Sequence, residues 1–264
     1  MKKLFIFLAL FLVSASVCSA QKYVLGDFLE LDGVPCFVLQ VDDSGQHGLI
    51  MSMPALGRGN MIIDFNEKVW VGQNAKKKDI ANYHSQHPDW ICKSFDWQSK
   101  KGSTAEEKKI YAQTLADLEE YLGSDGEKNT QIITSYCEEH GYDIARFFPE
   151  IAWAKNLGEG WYVAGDDELD KFATFYAGGV NQKILGARWL FIASDLSQGN
   201  FQMRYGLQAY AQIGIRSSSL CRNKKGLLMF QELVVMQTKA GPWWFIWNNG
   251  KWGGDRNVAA IRKF

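Results

Sequence analysis

The hydrophobic pattern of this chain changes period twice, and the order of those changes restricts the fold more than any other feature. Residues 23–53 read as strands. Val34, Cys36 and Val38 alternate with Phe37 and Leu39, Asp42-Asp43-Ser44-Gly45 is a turn signal, and His47-Gly48-Leu49-Ile50-Met51 returns as the second arm of a hairpin. Met61-Ile62-Ile63 and Val69-Trp70-Val71 add further apolar segments, and residues 103–177 then switch to helical spacing. From residue 184 the chain returns to strands, aromatics and glycines, with Leu190-Phe191-Ile192 and Leu233-Val234-Val235-Met236 as expected strands. Strands, then helices, then strands predict an α+β fold, not an alternating βαβ sheet.

The helical stretch has readable ends. Ser103 or Thr104 is placed to cap a first helix, with Glu106 and Glu107 in its first turn, where acidic groups suit the positive helix end. Ile110, Tyr111, Leu115, Leu118, Tyr121 and Leu122 fall on one face, and Gly123 is the expected stop. A second helix is expected from about Asn129 to Glu139, stopped by Gly141, with Ile132, Ile133 and Tyr136 inward. A third covers Ile151 to Asn156 after Pro149. A fourth begins near Asp166, carries Leu169, Phe172, Ala173 and Tyr176, and ends at Gly178-Gly179. Residues 72–102 are polar, with Lys76, Lys77 and Lys78 in a row, and predict a long surface loop.

The amino terminus predicts export. Lys2 and Lys3 precede ten apolar residues, Leu4 to Val13, and the small residues Ser14, Ala15, Ser16, Ser19 and Ala20 follow. That is a signal peptide, 1–20, and its apolar core is too short to span a bilayer. Lipid attachment at Cys18 is disfavoured by Val17 before it. No later stretch has the length of a membrane span. The remainder, 21–264, is one domain's worth of chain. Its 29 basic and 29 acidic residues, less the two signal lysines, leave a slight negative charge, which excludes a polyanion binder and hence nucleic acid as partner. Cys36, Cys92, Cys137 and Cys221 are widely spaced with no Cys-x-x-Cys, which argues against a zinc ribbon or a redox motif and leaves structural bridges or buried thiols.

Three separated blocks carry a family resemblance. The first is Gly26-Asp27, Gly33-Val34, Phe37-Val38, Val41-Asp42 and Gly45 with His47-Gly48-Leu49. The second is Asn129-Thr130-Gln131, Ile133, Cys137, Ala154, Leu157, Gly160-Trp161-Tyr162 and Asp167-Glu168-Leu169. The third is Trp243-Trp244-Phe245, Asn248-Asn249-Gly250-Lys251, Val258 and Ala260-Ile261-Arg262-Lys263-Phe264. Their order resembles the Lcl C-terminal domain family and its Fibrobacter-major-paralogue relatives, found in exported bacterial proteins including a collagen-like adhesin. The resemblance implies a C-type-lectin-like α+β fold: an antiparallel sheet, several helices, and N- and C-terminal strands in one sheet. Where that family reads Trp-Tyr-Leu-Pro-Ser, this chain has Val163, Ala164 and Gly165, so proline and capping serine are missing and Asp166 becomes the expected N-cap. One arginine of the closing motif is lost at Ala259. The family's Tyr-Trp-Ser-Ser segment is unclear. Ser217-Ser218-Ser219 is a remnant of it set too far upstream, and 195–240 reads as an insertion.

The binding segment follows the tryptophan strand. In a strand over 243–247, Trp243, Phe245 and Trp247 share one face and Trp244 and Ile246 the other, as in the core strand of a lectin-like domain. After it, Trp247, Asn248, Asn249, Lys251, Trp252, Asp255 and Arg256 form the candidate ligand-binding set, an aromatic anchor in a glycine-rich loop ringed by both charge signs. Carbohydrate or an extracellular protein is the expected partner. Asn249 stands where a calcium-binding lectin motif has aspartate, and no Glu-Pro-Asn occurs, so calcium is not expected. His84, His87, Asp89 and Cys92 lie in the lysine-flanked loop, and zinc is not expected there. Asp166, Asp167, Glu168 and Asp170 read as a helix-start acidic cluster with no partner to shift their titration. No nucleophile elbow or phosphate loop occurs, and Cys221-Arg222 lacks the nearby second cysteine of the formylglycine-generating enzymes that share the lectin-like fold. The expectation is a non-enzymatic binding or adhesion module without cofactor. A structural part of a surface or fimbrial assembly, or a remote enzyme on the same scaffold, are the other readings.

Overall fold

The computed structural model describes residues 23–52, 63–64, 69–70, 93–94, 103–177, 209–223, 225–238, 241–247 and 256–264. β1 (Phe28–Leu31) turns through Asp32-Gly33 into β2 (Val34–Val41), with Leu31 opposite Val34. Both turn residues have positive φ, +54° and +77°, as a type I′ hairpin turn requires. β3 (Gly48–Ser52) returns after the expected turn, where the Asp42 carboxylate accepts from the Ser44 hydroxyl at 2.7 Å and from Gln46 N–H at 3.2 Å. Leu39 is an extra residue in that pairing, since Val38 faces Ile50 and Gln40 faces Leu49.

A short pair follows, β4 (Ile63–Asp64) with β5 (Val69–Trp70), and then β6 (Lys93–Ser94), a strand within the span expected to be all loop. α1 (Ala105–Leu118) opens on a capping box. Thr104 Oγ1 accepts from Glu107 N–H at 3.1 Å, and Glu107 accepts from Thr104 N–H at 2.8 Å. It ends before Gly123, so Tyr121 leaves the helical face and is 63% exposed while Leu122 stays buried. α2 (Gly126–His140) starts three residues before the expected Asn129, because Asp125 caps it by accepting from Lys128 N–H at 3.0 Å. Gly141 ends it at φ +65°. A single turn, α3 (Ile144–Phe147), precedes α4 (Pro149–Asn156), whose first residue is the proline. β7 (Trp161–Val163) leads into α5 (Asp166–Ala177). Asp166 is the first helical residue there, so Gly165 holds the N-cap position expected of Asp166.

β8 (Ala209–Arg222) and β9 (Leu228–Thr238) form a long hairpin, and β10 (Gly241–Trp247) pairs with β9. The expected closing strand is split. β11 (Arg256–Val258) runs parallel to β8 and antiparallel to β6, whereas β12 (Ala260–Lys263) inserts between β3 and β7. Two five-stranded sheets result, ordered β1-β2-β3-β12-β7 and β10-β9-β8-β11-β6. The N-terminal strands and β12 therefore share one sheet, as expected, and the chain crosses between sheets at the fully buried Ala259. β10, expected at the core of its sheet, ends the strand order among the described residues. Pro242 suits that place, because a proline cannot donate to a second neighbour.

The first sheet is covered on both faces. Phe37, Leu39 and Met51 pack with Phe172 and Leu169 of α5 and with Ile215 and Leu233 of the second sheet. Cys36, Ile50 and Val163 pack with Tyr111, Leu115, Ile133 and Phe148 from the helical layer. This double burial explains why β2 reads as an almost continuous apolar run rather than a clean alternation. Residues 190–192, 178–179 and the remainder of 195–208 lie outside the described residues. No described helix is long and apolar enough to cross a membrane.

Candidate functional site

Of the sequence-predicted binding residues, Trp247 closes β10 and Arg256 opens β11; Asn248, Asn249, Lys251, Trp252 and Asp255 lie outside the described residues. Trp247 stands opposite Glu232, Glu232 opposite Arg216, and Arg216 beside Val258 across the parallel pair. Both ends of the predicted segment are thus anchored in the second sheet, with β9 and β8 between them. Arg216 and Glu232 in that row are buried, and Arg216 Nε has no hydrogen-bond partner.

Among the described residues a polar constellation lies where α2, β7, α5 and β8 meet, and the parts of the second sequence block come together there. Between Arg216 and Leu220 the β8–β9 pairing slips, leaving Ser217, Ser218 and Ser219 as a buried bulge. Ser218 N–H donates to Ala164 carbonyl at 2.8 Å, and its hydroxyl donates to Val163 carbonyl at 3.3 Å. Asn129, fully buried, donates from Nδ2 to the carbonyls of Gly123 (2.7 Å) and Ser218 (3.2 Å) and accepts Gly123 N–H at 2.9 Å. Thr130 Oγ1 accepts from Val163 N–H at 3.1 Å. The serine trio, upstream in sequence of where the family pattern would place it, is thereby brought against the Trp161-Tyr162 and Asn129-Thr130 blocks. Three consecutive serines inside a strand were the available signal, and their partners lie 53 to 89 residues away.

The acidic start of α5 is not a solvated cluster. Glu168 is 6% exposed, and its Oε2 accepts from Gly165 N–H at 2.8 Å and Gly126 N–H at 3.2 Å. Asp166 N–H donates to Ser219 Oγ at 3.0 Å. The backbones can approach this closely only without Cβ atoms: one on Gly126 would sit 2.4 Å from Val163 O, and one on Gly165 2.2 Å from Ser124 O. Contrary to the sequence reading, both carboxyls are shifted. Burial lifts Asp166 above the usual carboxylate value against the pull of the Ser217 and Ser219 hydroxyls, and lifts Glu168 against the Gly165 and Gly126 N–H groups. Burial also raises Tyr162, next to Glu168. The arrangement ties α2, β7, α5 and β8 together.

Cys36, Cys137 and Cys221 are free thiols, and Cys92 lies outside the described residues. Burial pushes Cys221 up to about 11, so it is protonated at neutral pH and is a poor nucleophile. Among the described residues no three His, Cys, Asp or Glu side chains could hold a metal ion; the His84, His87, Asp89 and Cys92 grouping is outside them. Comparison with models of protein families, with curated proteins and with solved structures returns no match.

Proposed function

We propose that this is an exported, non-enzymatic binding module of C-type-lectin-like fold, working in the periplasm, at the cell surface or outside the cell. Its contact segment runs from Trp247 through Asn248, Asn249, Lys251, Trp252 and Asp255 to Arg256. The observation that supports it is the placement of the tryptophan strand. β10 ends its sheet among the described residues, and the candidate segment follows directly from it. A segment whose sequence sets tryptophans beside polar residues suits a carbohydrate or an extracellular protein surface. A glycan and matrix-protein array probed with the purified protein and its Trp252→Ala variant tests this. Specific binding that the variant loses supports the reading, and no binding by either overturns it.

The same strand favours a second reading, a structural part of a surface assembly that recruits a partner strand. Gly241–Trp247 carries no charge, and uncharged edges accept strand addition. Sedimentation separates the two: a concentration-dependent oligomer without array binding favours assembly.

A further inference from the structure

We propose that Arg216 is an anion-binding group, whose guanidinium takes the carboxylate of a small, singly charged organic acid. Its setting follows from strand alternation. Ile215 and Leu233 face the core shared with α5 and the first sheet. Their neighbours Arg216 and Glu232 point to the other face, where Val258 and Phe230 belong to the apolar layer under the helices. Phe230 meets Phe148, at the start of α4, edge-on with ring centroids 6.2 Å apart. Arg216 is only 7% exposed in these surroundings.

A guanidinium so placed needs an anion. It stays charged at every pH a folded protein meets, so it cannot shed its proton as a buried lysine does. Holding it away from water unpaired costs far more than burying a neutral group. Among the described residues the chain supplies no counter-ion. Nε is buried without a hydrogen-bond partner, and no ion pair among these residues includes Arg216. Glu232 stands opposite it on β9, where a cross-strand pair would be expected. Glu150 is buried in the first turn of α4, close in the chain to Phe148. Neither carboxylate forms an ion pair with Arg216, and both make their contacts elsewhere. The Cys221 thiol lies within reach of the Arg216 charge, but burial keeps it protonated, so it supplies no negative charge.

The orphaned atom selects the ligand. Nε and the Nη beside it form one edge of the guanidinium fork, two parallel N–H donors at the spacing of carboxylate oxygens. One negative charge neutralises one positive charge, whereas a sulfate or phosphate dianion would carry excess charge into apolar surroundings. The Val258 and Phe230 side chains nearby suit a short apolar tail. The inference rests on Arg216 and its own sheet, and does not require the segment from Trp247 to Arg256 to be a contact surface.

The test is thermal melting of the whole purified protein in about 100 mM sodium propionate, against sodium chloride and sodium sulfate of equal ionic strength, beside Arg216→Met. The variant keeps the length of the side chain and removes its charge. Subtracting its shift from that of the wild type cancels general salt effects. The remaining shift, relative to chloride, is expected to be about 4 °C or more in propionate and near zero in sulfate. No excess in propionate overturns the site, and an equal excess in sulfate overturns its choice of a carboxylate. Should Arg216→Met fail to fold, proton–nitrogen spectra of the wild-type arginine Nε–H groups decide. One signal should move on adding propionate and stay in place with chloride, and no such movement overturns the site.

Discussion

Helices α1 and α5 begin in opposite ways. The box that opens α1 is complete within four residues, Thr104 to Glu107, each end accepting the other's N–H. The start of α5 is divided. Glu168 reaches back to Gly165 N–H as Glu107 does to Thr104, but the hydroxyl comes from Ser219, 53 residues away on another strand, and accepts Asp166 N–H. A local cap stabilises its own helix; a divided cap also fixes where that helix docks. Gly165 itself needs no side chain at this start, because the hydroxyl comes from β8 and the space a Cβ would take is filled by the Ser124 carbonyl.

This contrast can be broken at graded strengths. Gly165→Ser should destabilise most, by more than about 4 kcal/mol, because the clash is with backbone at both α2 and its preceding turn; a chemical-denaturation midpoint at or above wild type would refute the divided cap. Asn129→Ala removes a donor from the buried Ser218 carbonyl and frees the part-buried backbone groups of Gly123, and should cost about 2 kcal/mol by the same measurement. Ser219→Ala removes one side of the divided cap and should cost about 1.5–2 kcal/mol, more than Thr104→Ala at about 1 kcal/mol, which frays α1 alone. Equal losses at Ser219 and Thr104 would mean that the α5 cap does no docking. Trp252→Ala, in the proposed contact segment, should change stability by less than about 0.5 kcal/mol while abolishing array binding. A large fall in melting temperature with binding retained would make Trp252 a core residue instead.

The same contrast explains what could be read in advance. The α+β order, the Asp42–Gly45 turn, the Thr104 cap and the Gly141 stop are set by neighbours within about five residues, and sequence pattern reports such neighbours directly. The inward turn of Glu168, the burial of Ser217 to Ser219 and the place of β10 at the end of the strand order among the described residues depend on partners dozens of residues away, so the pattern showed only a helix-start acidic cluster and a run of serines. The split of the closing strand was hidden for a related reason. Val258 and Ala260 share the period of one continuous strand, and only their different partners, Arg216 of β8 and Val163 of β7, separate them. Of the predicted binding set, only its first and last members, Trp247 and Arg256, fall on described strands.

The insertion of β12 between β3 and β7 has a consequence for the timing of folding. Before residues 260–263 arrive, β1-β2-β3 is a meander with an open edge, and β7 is a short strand lacking its partner in that sheet. Closing them brings Ala260 N–H onto Ser52 Oγ at 2.8 Å across 208 residues of chain, and Phe264 into backbone pairing with Gly48. So distant a contact is reached only after a large loop-closure entropy has been overcome, and chains built on such contacts fold slowly. The first sheet therefore closes only when residues 260–264 join strands that lie far away in the chain.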